Sequence, residues 1–111
     1  MAMHRMILAD DIVREEYAAC SRNARYLFDR MACFCDDRGS HPDSPELLLR
    51  SVFPRDDDLT PQSVRAMLDE LLAAGLLISD SATAGRLLTV ADWESRQQRK
   101  AFNQPHKERR P

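Results

Sequence analysis

The stretch TPQSVRAMLDELLAAGLLISDSATAGRLLTV, residues 60–90, decides the fold. Thr60-Pro61 is a helix-start signal, a capping residue followed by proline at the first helical position. Val64, Met67, Leu68, Leu71 and Leu72 then recur at three- and four-residue steps, the stripe of a helix with one buried face. Gly75 is a natural left-handed terminator. After it the period changes. Two short apolar runs, Leu76-Leu77-Ile78 and Leu87-Leu88-Thr89-Val90, flank a small polar loop that contains Gly85, the pattern of a β-hairpin.

Upstream, Asp43-Ser44-Pro45 gives the same start signal for a helix through ELLLRSVF, which must stop before Pro54. The loop Arg55-Asp56-Asp57-Asp58 joins it to the helix at 61. Further back, Ser21 caps a helix predicted through RNARYLFDRMACFCDD, with Ala24, Leu27, Phe28, Met31, Ala32 and Cys35 as its stripe. Gly39 closes it, and His41-Pro42 is predicted to lead the chain away. Asp10 to Cys20 reads as a short helical stretch whose apolar side is Ile12, Val13 and Tyr17. Downstream of Trp93 the sequence turns polar and basic, with one or two further helical turns expected before Pro105.

Helices followed by a hairpin are the order of a winged helix-turn-helix, a mainly α fold with a small β-hairpin. In that fold the helix before the hairpin enters the DNA major groove and the hairpin is the wing. The division expected is an N-terminal arm over 1–20 that can pair with a second subunit, a winged-helix domain over 21–92, and a basic tail over 93–111. The arm carries Met1, Met3, Met6, Ile7 and Leu8 besides its helical residues, more apolar surface than a frayed end needs, hence the homodimer expectation.

Composition bounds the chemistry. The 111 residues are 43% hydrophobic and 31% charged, ordinary for one folded domain. No apolar run suits a bilayer span or a secretory signal, so no membrane partner and a cytoplasmic location are expected. Three cysteines, Cys20, Cys33 and Cys35, do not make a disulfide framework. Three glycines in all leave no phosphate-cradling loop, so no nucleotide cofactor is expected. Cys33, Cys35 and His41 lie close in sequence, but cysteines one residue apart diverge by about 200° on a helix, which does not suit tetrahedral zinc. Asp56-Asp57-Asp58 lacks the glycine and terminal glutamate of a calcium loop. No Cys-His or Ser-His-Asp set stands out, and the expectation is a non-enzyme without metal or cofactor.

Charge is unevenly spread. Residues 1–85 hold 9 basic and 15 acidic side chains, whereas 86–111 hold 7 basic and 3 acidic. A basic end on an acidic body suits a polyanion, and it also suits a merely solvated terminus. On the presumed reading helix, Gln62, Ser63 and Arg65 face outward near its N-terminal end, where base contacts concentrate. Arg86 opens the second wing strand, and Arg96, Arg99 and Lys100 carry the basic stretch beyond it. Asp69, Glu70 and the three aspartates at 56–58 oppose a phosphate backbone, so contacts mainly to the backbone and of low sequence specificity are expected. Trp93 is either a stacking platform for an unpaired base or a lid over the helices, the second being the bulk-packing alternative.

The runs LFDRMACFCDDRGS, LLRSVFPRDDDLTPQSVRAMLDELLAAGLL and LLTVADWESRQQ resemble the N-terminal winged-helix domains of phage and prophage replication proteins, of the replisome-organiser and DnaD type. The correspondence lies in Asp36-Asp37-Arg38-Gly39, in Val52-Phe53-Pro54 before an acidic loop, in the segment Leu68 to Ile78, and in Trp93 near the end of the last strand. It covers roughly residues 20–98. Asp80 stands where an aromatic is common, and Arg96 where a histidine precedes the glutamine. Larger relatives continue beyond the matched region into a second domain that contacts helicase or partner proteins. The resemblance implies double-stranded or single-stranded DNA as partner, in replication initiation or transcription regulation, with a replication or regulatory protein as a further partner. The alternative is a protein-interaction module on the same scaffold that binds no DNA.

Overall fold

The computed structural model describes residues 4–80 and 86–97. Within them, seven elements carry the fold. Four are helices, α1 (Glu15–Ala18), α2 (Arg22–Met31), α3 (Pro45–Val52) and α4 (Pro61–Ala73). Three are strands, β1 (Ser40–Pro42), β2 (Leu77–Asp80) and β3 (Leu87–Val90), and residues 93–97 are also helical. The result is a helix-rich domain with a small antiparallel sheet, compatible with a winged-helix-like architecture.

The helix starts form as their capping residues require. Ser21 Oγ accepts from the Ala24 N–H, Ser44 Oγ from the Leu47 N–H, and Thr60 Oγ1 from the Ser63 N–H. Ser63 Oγ in turn accepts the Thr60 N–H, a reciprocal cap that supplies two donors with partners at once. Gly75 ends the α4 turn with φ +79°, the left-handed conformation glycine adopts without cost. The α2 stripe is buried throughout, from Ala24 to Cys35, and packs with Leu48, Val64, Leu68, Leu71 and Leu88 into one core. Glu70 ties α4 to the start of α2 by accepting from both the N–H and the hydroxyl of Ser21.

Three expectations are corrected. The sheet has three strands in the order β1-β3-β2, not two. Residues His41-Pro42 do not lead away: β1 pairs antiparallel with β3, Ser40 opposite Thr89 and Pro42 opposite Leu87. Without β1 the outer backbone groups of β3 would lack partners, and proline is tolerated where it ends an edge strand. Secondly, α2 stops at Met31 and tightens into a 3-10 turn at Ala32–Phe34 instead of running on to Asp37. Asp36 captures the chain there, its Oδ1 accepting from the N–H groups of Arg38 and Ser40, so a side chain competes with the helix for the backbone. Gly39 then makes the turn at φ +80°.

The third correction concerns 10–20. It is a 3-10 turn, Ala9–Val13, broken by an extended Arg14 from the short α1. Of the apolar side expected, Ile12 and Val13 are exposed and only Tyr17 packs on the core, while the residues this segment buries are Asp11 and Cys20.

Candidate nucleic-acid interface

The face to weigh first lies where α4 meets the sheet. Arg65, on the second turn of α4, donates from Nη1 to Asp43 Oδ1 at 2.8 Å and from Nε to Asp69 Oδ1 at 3.3 Å. Arg86, directly before β3, reaches the other oxygen of Asp43 at 3.7 Å and donates to Ser79 Oγ on β2. Asp43 itself is pinned, its N–H donating to the Arg86 carbonyl oxygen. Its carboxylate is 3% exposed, against 36% and 60% for the two arginine side chains. A buried acid therefore holds two solvent-facing cations, one from α4 and one from the sheet, on a single surface. Bidentate-capable guanidinium groups so held are pre-organised for a second anion such as phosphate.

Gln62 is exposed on the first turn of α4 beside this pair. Ser63 is half-buried, and its hydroxyl is already committed to the Thr60 cap, which leaves it less available than its sequence position implies. Arg99 and Lys100 lie outside the described residues.

Arg96 is placed elsewhere altogether. Its side chain is 8% exposed, donates to Asp11 Oδ2 at 2.8 Å and to the Ala91 carbonyl, and stacks over the Phe28 ring at 5.1 Å. A guanidinium so enclosed is a structural tie and not a surface cation. The same junction gathers the N-terminal residues. Arg5 donates to the carbonyls of Ala32 and Cys35 and lies over Trp93 at 4.9 Å, while Gln97 exchanges hydrogen bonds with the backbone of Met6. Trp93 is buried, with its indole N–H donating to the Asp37 carbonyl, so it acts as the lid and offers no open stacking face.

Among the described residues no group of three or more His, Cys, Asp and Glu side chains is placed to hold a metal ion. Burial, and then the neighbouring Asp36, push the Cys35 thiol up to about 12, and burial also raises that of Cys20. Both thiols stay protonated at neutral pH, the form that neither ligates nor attacks. His41 is buried with Nδ1 against the Pro42 carbonyl. Among the described residues, no helix is long and apolar enough to cross a membrane.

Sequence reasoning missed Asp43 and Asp11. Asp43 was legible as a helix-start residue, but Ser44 alone does the capping. Two capping residues side by side leave one spare, and that was the available signal. Nothing local marks Asp11 as the partner of a residue 85 positions away.

No sequence-family model matches the chain, and no curated protein matches it. A solved structure named "N-Terminal domain of DNA binding protein" shares the fold, with a TM-score of 0.57 at 11% identity, over 98% of this chain and 91% of that one. The likeness therefore spans the arm, the helices and the sheet together.

Proposed function

We propose that the protein is a winged helix-turn-helix domain that binds DNA, mainly through the phosphate backbone, as a non-enzymatic component of phage-type replication initiation or transcription regulation. The observation that carries this is the pair Arg65 and Arg86, drawn from α4 and the sheet onto one face by a buried carboxylate. In the proposed docking α4 enters the major groove with Gln62 foremost, Arg86 contacts the flanking phosphates, and Arg99 and Lys100 extend the cationic track. The shared fold with a domain named as DNA-binding supports the reading, as does the resemblance of residues 20–98 to phage replication domains. A homodimer through residues 1–20 accompanies it, since Ile7, Ile12 and Val13 present 59%, 71% and 80% of their surface to solvent. Asp69 beside Arg65 and the aspartates at 56–58 keep affinity modest and salt-sensitive.

Fluorescence anisotropy with labelled duplex and single-stranded DNA, titrated from low to near-physiological salt, is the test. Binding should weaken steeply with salt, and Arg65→Ala plus Arg86→Ala should lower the salt slope by about two, one for each phosphate no longer neutralised. Absence of binding at low salt would turn the same scaffold into a protein-interaction module, with the acidic 56–58 loop as its first surface to probe.

A further inference from the structure

On the side of α2 away from the arm junction lies a groove of about 250 Å³, lined by Asn23, Tyr26, Phe53, Asp56, Asp58 and Leu59. One side of it is Tyr26, whose ring packs at 5.4 Å and 31° from coplanar on Phe53, itself buried in the core. Its rim is acidic, because Asp56, Asp57 and Asp58 are all exposed in the α3–α4 loop. Tyr26 keeps 40% of its surface exposed and already carries the Arg30 guanidinium at 4.6 Å. This aromatic wall thus accepts a cation, as electron-rich ring faces do.

The acidic rim selects an occupant for positive charge, and the exposed part of Tyr26 offers an aromatic side chain a place to rest. The chain holds one such segment, residues 98–111, QRKAFNQPHKERRP, with a single aromatic, Phe102, and five Lys or Arg against one Glu. It starts within reach. Arg96 stacks on Phe28, and Phe28 and Tyr26 are two residues apart on α2, so the groove and the start of the segment flank one helix. A helix is about 10–12 Å across, and five extended residues reach roughly 17 Å.

We propose that the groove is the docking site of the chain's own segment 98–111, with Phe102 against the exposed part of Tyr26 and the flanking cations over Asp56 and Asp58. The docking needs no nucleic acid, but it engages Arg99 and Lys100, the cations also placed along the DNA, so bound DNA and the groove compete for them and the test is made without DNA.

The test is amide NMR on the full-length chain. Phe102→Ala should shift the amides of Asn23, Tyr26 and residues 56–59, and Asp56→Asn plus Asp58→Asn should shift those of residues 98–111. Raising NaCl from about 50 to 500 mM, beyond which a surface attraction is screened within about 4 Å, should move both sets together. The shifts should be the same at low and high protein concentration. Both variants change exposed or terminal positions, and an unmoved Trp93 indole signal certifies the fold in each. Either set staying still while the fold is intact overturns the proposal. Shifts that grow with protein concentration also overturn it, because the groove would then be filled by a second copy.

Discussion

The molecule contains two arginine–aspartate sites with the same ion-pair distance and opposite character. At the arm junction, Asp11 and Arg96 meet at 2.8 Å with both side chains under a tenth exposed. At the sheet, Asp43 and Arg65 also meet at 2.8 Å, and there only the acid is enclosed. The separation is alike, so the difference lies in which charge has left water. Where both have, the pair costs much desolvation and is chiefly a structural tie, strongly destabilising to break. Where the cation stays wet, the pair adds little stability and the guanidinium keeps donors for another anion.

The comparison is broken most sharply at the closed site. Arg96→Ala would strand the Asp11 carboxylate, whose Oδ1 already lacks a hydrogen-bond partner among the described residues. A loss of about 3–5 kcal/mol is expected for a buried charge left alone, measured by urea unfolding, enough to bring a domain of this size near its stability limit. Next comes Gly39→Ala. A Cβ there would lie 2.4 Å from Trp93 Cγ on a backbone at φ +80°. Crowding and left-handed strain together should cost about 2–3 kcal/mol. Gly75→Ala, at φ +79° with nothing within 4 Å, should cost only the conformational part, about 1 kcal/mol. Thermal melts of the two glycine variants separate the terms.

At the open site the same arginine truncation should scarcely touch stability. Arg86→Ala is expected to change it by less than about 1 kcal/mol, as exposed pairs do, while lowering the DNA salt slope by about one. Asp43→Asn sharpens the contrast, since removing the carboxylate that holds Arg65 and Arg86 on one face should weaken DNA binding. Tighter binding in that variant would instead make Asp43 a competitor for the two cations.

The smallest effect is a pH dependence beside the closed site. Burial raises the Asp29 carboxyl above its ordinary value, with Asp11 adding to this, while the Tyr17 hydroxyl, Arg96 and Arg30 lower it. A carboxyl raised in the folded state opposes folding when ionised, and that cost is relieved as pH falls through the folded value. Asn at 29 still accepts from the Tyr17 hydroxyl, which now sits 2.7 Å from Oδ2. The stability of Asp29→Asn relative to the native chain should therefore be greatest near neutral pH and decline on acidification, as read from melts across that range.

How much of this was legible in the sequence follows from how local each signal is. The caps at Ser21, Ser44 and Thr60, the buried stripes of α2 and α4 and the Gly75 terminator all rest on contacts within four or five residues, and all form as read. The hairpin strands were legible from their change of period. Strand β1 was not, because Ser40–Pro42 has no strand pattern of its own and exists through the free side of β3. The candidate site divides in the same way. Gln62 and Arg65 follow from helix phase, whereas the enclosure of Arg96 and the hub role of Asp43 depend on partners far along the chain. A basic residue in a basic run carries no mark of which side of the surface it occupies.

Trp93 is the sole indole of the chain, 6% exposed, with Arg5 across its ring, Gly39 under its edge and a backbone carbonyl on its nitrogen. Three distant parts of the sequence thus meet at one intrinsic fluorophore. Its emission should lie to the blue of free tryptophan in the native state and move red when the N-terminal residues lift away. The protein therefore carries a built-in, label-free reporter of whether its two ends are fastened, readable in a cuvette alongside any binding titration.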